Sequence, residues 1–270
     1  MTKKGIVVSD LHCGSFYGLL PPNFETFEGV PKLQNPGQKF LWECWLDFAN
    51  RVESFEPHFV IVNGDDIDGM QQKSHGAELS LTNWRDQRQA AIATLKVLRS
   101  VTRKAKWYFV QGTPYHVGHF GSAEEDIAEA MGATPYPGPG SGKLCREVLL
   151  LNVEGVLIES AHHIAFASVY PATPLDKEVR GADAERDGPP PDLMIRSHVH
   201  RKKQIDQRII TTPCWELQTR YQRKSYLHLV RPDIGGTYIT IDPVAKKAGY
   251  PPCQIKFESY QVPKRPIASL

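Results

Sequence analysis

The sequence predicts an α/β fold in which buried strands alternate with crossover helices and a second set of strands follows. Three observations carry this reading. Five short apolar runs rich in β-branched residues, Gly5 to Ser9, Phe59 to Asn63, Trp107 to Gln111, Val156 to Ser160 and Leu193 to Arg196, have the length and composition of buried strands. Apolar residues recur at helical spacing between the first two runs and again between the second and third. Beyond Gln204 the pattern changes to alternating strands, which predicts a second sheet completing a layered sandwich.

The elements follow in order. After Gly5 to Ser9, residues Phe16 to Gln38 are rich in Pro, Gly and Asn and lack periodicity, so they read as a long loop able to reach over a site. Leu41, Trp45, Phe48, Val52 and Phe55 then mark one crossover helix, and Trp84, Arg88, Ala91, Leu95 and Leu98 a second. Asn83 is the expected N-cap of the second, with Asp86 in the first turn, where a negative charge suits the helix dipole. Tyr136 to Gly142 reads as a turn-rich connector, and Asp187 to Pro191 ends a short helix starting near Leu175. The later strands are expected at Ile205 to Thr211, Tyr226 to Val230, Thr237 to Ile241 and Gln254 to Tyr260. The simplest organisation is a single domain over residues 1–270, with its motifs in 5–200 and strands in 204–262 completing the second sheet.

Composition narrows the class. Hydrophobic residues make up 41% and charged residues 23% of the chain, which excludes a disordered or fibrous protein. No apolar run approaches the roughly 18 to 20 residues that span a bilayer, and a strand follows the N-terminus within a few residues, so a cytoplasmic location is the expectation. The five cysteines are scattered and form no Cys-x-x-Cys pair, which points to reduced thiols. The net charge of +2 conceals a basic segment from Arg196 to Arg231, read either as a solvated face or as an attractor of phosphate-bearing substrate.

Each of the five runs stops at a turn that is polar, metal-competent or glycine-containing: Asp10-Leu11-His12, Gly64-Asp65-Asp66, Gly112-Thr113-Pro114-Tyr115-His116, Ala161-His162-His163 and Ser197-His198-Val199-His200. In an open α/β sheet such strand ends gather along one edge. Two residues apart in an extended segment, Asp10 and His12 are expected to project to the same side, and His198 and His200 repeat that spacing. Carboxylates and imidazoles arriving in this order suit Mn2+, Fe or Zn2+.

These blocks resemble those of the calcineurin-like metallophosphoesterase superfamily, Asp-x-His, Gly-Asp-x-x-Asp, Gly-Asn-His-Asp/Glu, a lone His and Gly-His-x-His, over about 190 residues from Asp10 to His200. The resemblance implies a layered α/β/β/α sandwich, two mixed sheets packed face to face with helices outside. It implies two divalent metal ions, with Mn2+ expected first, one bound by Asp10, His12 and His200 and the other by His198 with His162 or His163, Asp65 bridging. His162 is the expected ligand, being closer to the strand end, which leaves His163 to meet substrate. It also implies a phosphoryl group clamped between the ions and attacked by a metal-activated hydroxide. Asp68 takes the second acidic position, read as support for a ligand or as a turn residue.

The third block departs from the pattern: Thr113-Pro114-Tyr115 precedes His116 and the family's Asn ligand is missing. Thr113 or Tyr115 is left to fill that space. His116 is the expected general acid, with metal ligation as its alternative role and His119 as an alternative residue. Arg201 and Lys202, directly after His200, are expected to meet substrate phosphates, and the preferred substrate is a phosphodiester in a nucleotide or nucleic acid. Trp215, Tyr221 and Tyr226 stack bases or belong to the core. The competing functions are a phosphomonoesterase for a protein or metabolite, and an inactive binding protein that keeps the fold. His58, His75 and His228 fit no block.

Overall fold

In the computed structural model, residues 1–118, 122–137, 142–165, 172–184, 188–224 and 231–263 are described. The elements are β1 (Lys3–Val8), β2 (Phe24–Glu25), β3 (Pro31–Lys32), α1 (Pro36–Phe55), β4 (Phe59–Asn63), α2 (Trp84–Val101), β5 (Lys106–Val110), α3 (Pro114–Val117), α4 (Ser122–Ala130) and β6 (Cys145–Arg146). They continue with β7 (Val148–Val153), β8 (Val156–Ala161), α5 (Thr173–Ala184), β9 (Leu193–Arg196), β10 (Lys203–Ile205), β11 (Ile209–Thr211), α6 (Arg220–Lys224), β12 (Thr237–Ile241), α7 (Pro243–Lys247) and β13 (Cys253–Phe257).

Alternation along the strands builds the layers. In β1, Ile6 and Val8 face the helices and Val7 faces the opposite sheet, because successive side chains leave a strand on opposite sides. The first sheet has the order β13-β12-β1-β4-β5-β6, with β1, β4, β5 and β6 parallel. The second has the order β10-β11-β9-β8-β7, with β11, β9 and β8 parallel and an antiparallel strand at each edge. Val7, Ile61, Val110 and Ile239 of the first sheet pack on Leu149, Ile158, Leu193, Ile195 and Ile210 of the second. On the first sheet's other face Trp107 and Phe109 meet Trp45, Leu95 and Ile127 of α1, α2 and α4, and on the second sheet's outer face Met194 and Ile209 meet Leu175 and Val179 of α5. The result is a layered α/β/β/α sandwich of two mixed sheets with flanking helices.

The helix starts follow their caps. Asn35 accepts from the Gln38 backbone while the Gln38 side chain accepts from the Asn35 backbone, a reciprocal capping box with Pro36 in the first turn. Asn83 caps α2 by accepting from Arg85, as expected, and Asp86 additionally accepts from the Phe27 N–H. No helix among the described residues is long and apolar enough to cross a membrane. All five cysteines are buried and unbridged.

Four expectations need correction or completion. The strands after residue 204 do not all complete the second sheet: β12 pairs antiparallel with β1 from Lys3↔Ile241 to Val7↔Thr237, so β12 and β13 extend the first sheet and cover an edge that β1 would otherwise expose. Ile205 to Thr211 is a hairpin rather than one strand, because Asp206 and Gln207 both take positive φ, the geometry of a tight two-strand turn. The loop from Phe16 to Gln38 contains the small β2-β3 pair and ends where α1 begins at Pro36. Strand β7, an edge of the second sheet with alternate residues exposed, is absent from the expected strands. The expected strand Tyr226 to Val230, with His228, and parts of the two Pro/Gly-rich connectors lie outside the described residues.

Candidate metal centre

The carboxyl ends of β1, β4, β8 and β9 and the turn after β5 converge on one crevice. Backbone bonds lace them together beyond the strands: Asp10 N–H to Gly64 O at 2.9 Å, His12 N–H to Asp65 O at 3.0 Å and Ser197 N–H to His162 O at 2.9 Å. Below them runs a buried polar network. Asn63 donates to Ser197 Oγ at 2.6 Å and accepts from Ser160 Oγ at 2.8 Å, while Thr212 Oγ1 lies 2.7 Å from both Ser9 Oγ and Ser197 Oγ. This joins the two sheets at the level of the site.

The Asp-x-His and His-x-His segments are not extended, contrary to expectation. Asp10 (φ 53°), His12 (φ 45°), Asp65 (φ 55°), His198 (φ 67°) and His200 (φ 54°) all occupy the left-handed region, which is costly for residues with a Cβ. Alternating left-handed residues curl the chain and turn both side chains of each pair inward. Two glycines make the close approach feasible. A Cβ on Gly64, itself at φ 83°, would stand 2.7 Å from the Gly112 Cα, and one on Gly112 would stand 2.2 Å from Asp65 Oδ1.

Asp10 is fully buried and neither carboxylate oxygen accepts a well-aligned hydrogen bond. Its Oδ1 lies 3.1 Å from His200 Nε2, 3.8 Å from His162 Nε2 and 3.9 Å from His12 Nε2. The His12 and His200 Nε2 atoms are 3.3 Å apart, and His162 Nε2 is 2.9 Å from Asp65 Oδ2. Donors sharing one cation at about 2.1 Å lie roughly 3 to 3.4 Å from one another, so several of these separations suit common ligation. Among the described residues, three groups of side chains could hold an ion: Asp10, His12 and His200; Asp65, His162 and His198; and His12, Asp68 and His116.

The imidazoles are anchored from behind. His12 Nδ1 lies 3.0 Å from Asp68 Oδ1, and His162 Nδ1 lies 2.6 Å from the Asn63 carbonyl. Both contacts leave Nε2 facing the crevice. His116 Nδ1 lies 2.9 Å from the Asp68 carbonyl and 3.4 Å from its carboxylate, which likewise frees Nε2. Thr113 donates from its backbone at 2.7 Å and its hydroxyl at 3.2 Å to Asp65, so it grips that carboxylate from the side. Tyr115 packs edge-on against His116, ring centroids 4.9 Å apart.

Burial alone would raise the Asp10 carboxyl, but the facing His200 and His162 outweigh it and bring it down to about 2. Asp65 is likewise held well below the usual range, against its burial, by His162 and His116. Burial opposes a charge on His162, yet Asp65 and Asp10 push it up to about 10. His116 rises to about 9 through Asp65 and Asp68 despite its own burial. His198 moves the other way, to about 4, through burial and the neighbouring charge on His162. Protons on the imidazoles thus balance the buried carboxylates, and a divalent cation carries the charge to replace them.

Of the expected site residues, Asp10, His12, Asp65, His162, His198 and His200 are brought together, with Asp68, Thr113 and His116 around them. Asp68 is buried between two imidazoles and is no solvent-exposed turn residue. His162 enters the crevice while His163 is exposed and packs on His198, ring centroids 5.0 Å apart. Arg201 is directed to Asp233 at 3.0 Å and Lys202 to Ser259 Oγ at 2.6 Å, so both expected substrate contacts are engaged within the chain. Trp215 is core, T-shaped on Trp45 at 4.8 Å. His58 and His75 are exposed, and His119 lies outside the described residues.

Three buried acids escaped the sequence reading. Glu124 accepts from the Gly112 N–H at 2.7 Å and, with its neighbour Asp66, is kept protonated by burial; its carboxyl is pushed up to about 8. Glu216, fully surrounded, stands 3.6 Å from His200 Nδ1 and 3.9 Å from His12 Nε2. Its only signal was an acid inside the apolar run Pro213-Cys214-Trp215-Glu216-Leu217.

The donor set fits divalent metals: hard carboxylate oxygen with imidazole nitrogen, and a fully buried Asp10 carboxylate faced by three imidazole nitrogens. No family model matches the chain, and no curated relative matches it. Solved structures similar to it include vacuolar protein sorting 29 from Cryptosporidium parvum, at 12% identity and a TM-score of 0.43 over 96% of this chain and 99% of the other. A single mutant of Vps29 from Entamoeba histolytica matches at 13% identity and a TM-score of 0.40 over 96% and 99% of the two chains. Wild-type Vps29 complexed with zinc, from the same organism, matches at 14% identity and a TM-score of 0.41 over 94% and 98%.

Proposed function

We propose that this chain is a dinuclear metal-dependent phosphoesterase of the calcineurin-like type, forming a single domain over residues 1–270. The observation that carries the reading is the fully buried Asp10 carboxylate ringed by the Nε2 atoms of His200, His162 and His12 at 3.1, 3.8 and 3.9 Å, with no well-aligned hydrogen bond to either oxygen. An ionised carboxylate is costly to bury without a partner, and a cation is the partner this geometry suits. Asp10, His12 and His200 would hold one ion, and Asp65, His162 and His198 the other, with Asp65 shared. Mn2+ is the first expectation, with Fe or Zn2+ as alternatives. When bound, such ions would acidify a water and neutralise phosphoryl oxygens.

The chain's own groups supply the rest. His116 is fixed through Nδ1 by Asp68, which leaves Nε2–H to give its proton to the departing oxygen. Thr113 holds Asp65 in place and does not substitute for the missing Asn as a free ligand. The preferred substrate is a phosphodiester of a nucleotide or nucleic acid. With Arg201 paired to Asp233, the exposed cations supporting this preference are Arg220, Arg223 and Lys224 on α6. The unbridged thiols accord with a cytoplasmic location. A phosphomonoesterase would use the same centre, and an inactive binding protein is the reading favoured by the altered third block.

The test is metal content by elemental analysis alongside hydrolysis of bis(p-nitrophenyl) phosphate and p-nitrophenyl phosphate, with Mn2+ and after chelation. Chelator-sensitive diester cleavage with two metals per chain supports the proposal, whereas monoester preference favours the phosphatase. A chain with neither metal nor activity is a binding protein. His116→Asn should lower turnover by about 10²- to 10⁴-fold with metal content retained; loss of a metal would make His116 a ligand instead.

A further inference from the structure

Three imidazoles of the centre, His12, His116 and His162, share a pattern from which His200 departs. His12 and His162 each rest their Nδ1 on an oxygen, Asp68 Oδ1 at 3.0 Å and Asn63 O at 2.6 Å respectively. His200 Nδ1 is buried and rests on no oxygen at hydrogen-bond distance; the Cys214 thiol borders the ring, and the nearest carboxylate oxygen is Glu216 Oε2 at 3.6 Å. Such an oxygen behind a ligating imidazole fixes its tautomer and aims its other nitrogen.

Glu216 is held firmly in position. The flanking residues are tied by backbone bonds to the chain beside the site, Trp215 N–H to Asp10 O at 3.0 Å and Leu217 N–H to Tyr17 O at 2.9 Å. Trp215 is locked in the aromatic core, and Ser15 Oγ donates to Glu216 Oε1 at 3.1 Å, leaving Oε2 toward the histidines. The Cys214 thiol also borders His200, but it donates to the Glu216 carbonyl at 3.3 Å and burial keeps it protonated. A carboxylate inserted between apolar neighbours and buried against two imidazoles has no packing reason to be there.

We infer that Glu216 is the positioning residue for His200, its carboxylate facing Nδ1 at ion-pair distance and thereby setting the affinity of the Asp10, His12 and His200 metal position. This rests on the metal-dependent reading above and adds to it a residue outside all five motif blocks. Glu216 touches no reacting atom and shapes the site through His200 and, at 3.9 Å, the edge of His12.

The experiment is titration of the metal-free full chain with Co2+, followed by calorimetry and by the visible ligand-field spectrum, for wild type, Glu216→Gln, Glu216→Asp and Cys214→Ser. In Glu216→Gln one of the two Co2+ affinities should fall by about 10- to 100-fold, the other staying put, with an altered spectrum of the weakened ion. Glu216→Asp should recover part of the loss, and Cys214→Ser should leave both affinities near wild type. Equal Co2+ binding and an unchanged spectrum in Glu216→Gln overturn the inference; so does a loss in Cys214→Ser that matches or exceeds that in Glu216→Gln. A uniform loss at both positions with a lowered melting temperature of the metal-free variant would show a merely structural role. Failure of wild type itself to bind Co2+ strikes the metal-dependent reading instead, so the two failures are separate.

Discussion

Two clusters of buried charge begin two residues apart, at Arg196 on β9 and at His198 just beyond it, and they are built on opposite plans. The Arg196 guanidinium is finished by the protein itself: Nε and Nη2 donate to Glu178 at 2.9 and 2.6 Å, Nη2 to Glu159 at 2.6 Å and Nη1 to the Ile195 carbonyl at 2.9 Å. It pins α5 onto the second sheet. The crevice beyond gathers carboxylates and imidazoles and yet leaves both oxygens of the buried Asp10 without a well-aligned hydrogen bond. A complete buried pair reads as architecture, whereas an incomplete one marks a place where something else completes it.

The sharpest way to break this contrast is to remove the incomplete cluster's central carboxylate. Asp10→Asn should reduce hydrolysis to the level of the chelated protein and lower metal content in elemental analysis. Retained activity with both metals bound would dismiss the assignment. Arg196→Met should do the reverse, destabilising the fold by about 3 kcal/mol, or roughly 5 to 10 °C in Tm, since it removes the buried cation that Glu159 and Glu178 share. Its metal content should match wild type. Loss of metal without loss of stability would erase the distinction between the clusters.

A smaller effect sharpens the comparison through pH. His116 and His162 have folded pKa values of about 9 and about 10, above the unfolded value of 6.5, so the stability they contribute is complete below pH 6.5 and is lost as pH rises through those values. Glu124, raised to about 8 from 4.5, is protonated in the fold and acts in the same direction up to pH 8. His198, lowered to about 4, acts oppositely, but only below pH 6.5. Thermal melts of the metal-free chain should therefore show Tm falling from pH 6.5 to pH 9. Saturating Mn2+ should flatten the fall, because the cation replaces the protons. A metal-free Tm that is constant or rises over this range would refute the charge balance drawn for the crevice.

Much of the fold was legible because its strands are buried on both faces and so read as continuous apolar runs. Phe59 to Asn63 and Leu193 to Arg196 coincide with β4 and β9, and Thr237 to Ile241 with β12. The sheet that β12 joins was not legible, since alternation reports a half-buried strand and says nothing about its neighbour. Asp10, His12, Asp65, His162, His198 and His200 could be picked out because they cluster at strand ends. Their left-handed backbone was hidden, because neither Asp nor His announces positive φ as Gly does. Glu124 and Glu216 were invisible for a different reason: each acts on a partner more than ten residues away through burial, which no local pattern encodes.

The left-handed residues at the strand ends also set how this protein would change under selection. At positions 12, 198 and 200 glycine would relieve backbone strain of about 1 kcal/mol or more each, and would delete an imidazole in the same step. A population of variants screened for heat resistance alone should therefore drift toward a quiet, sturdier sandwich with a glycine-lined crevice. The most stable form of this fold and the form able to grip a cation are different sequences.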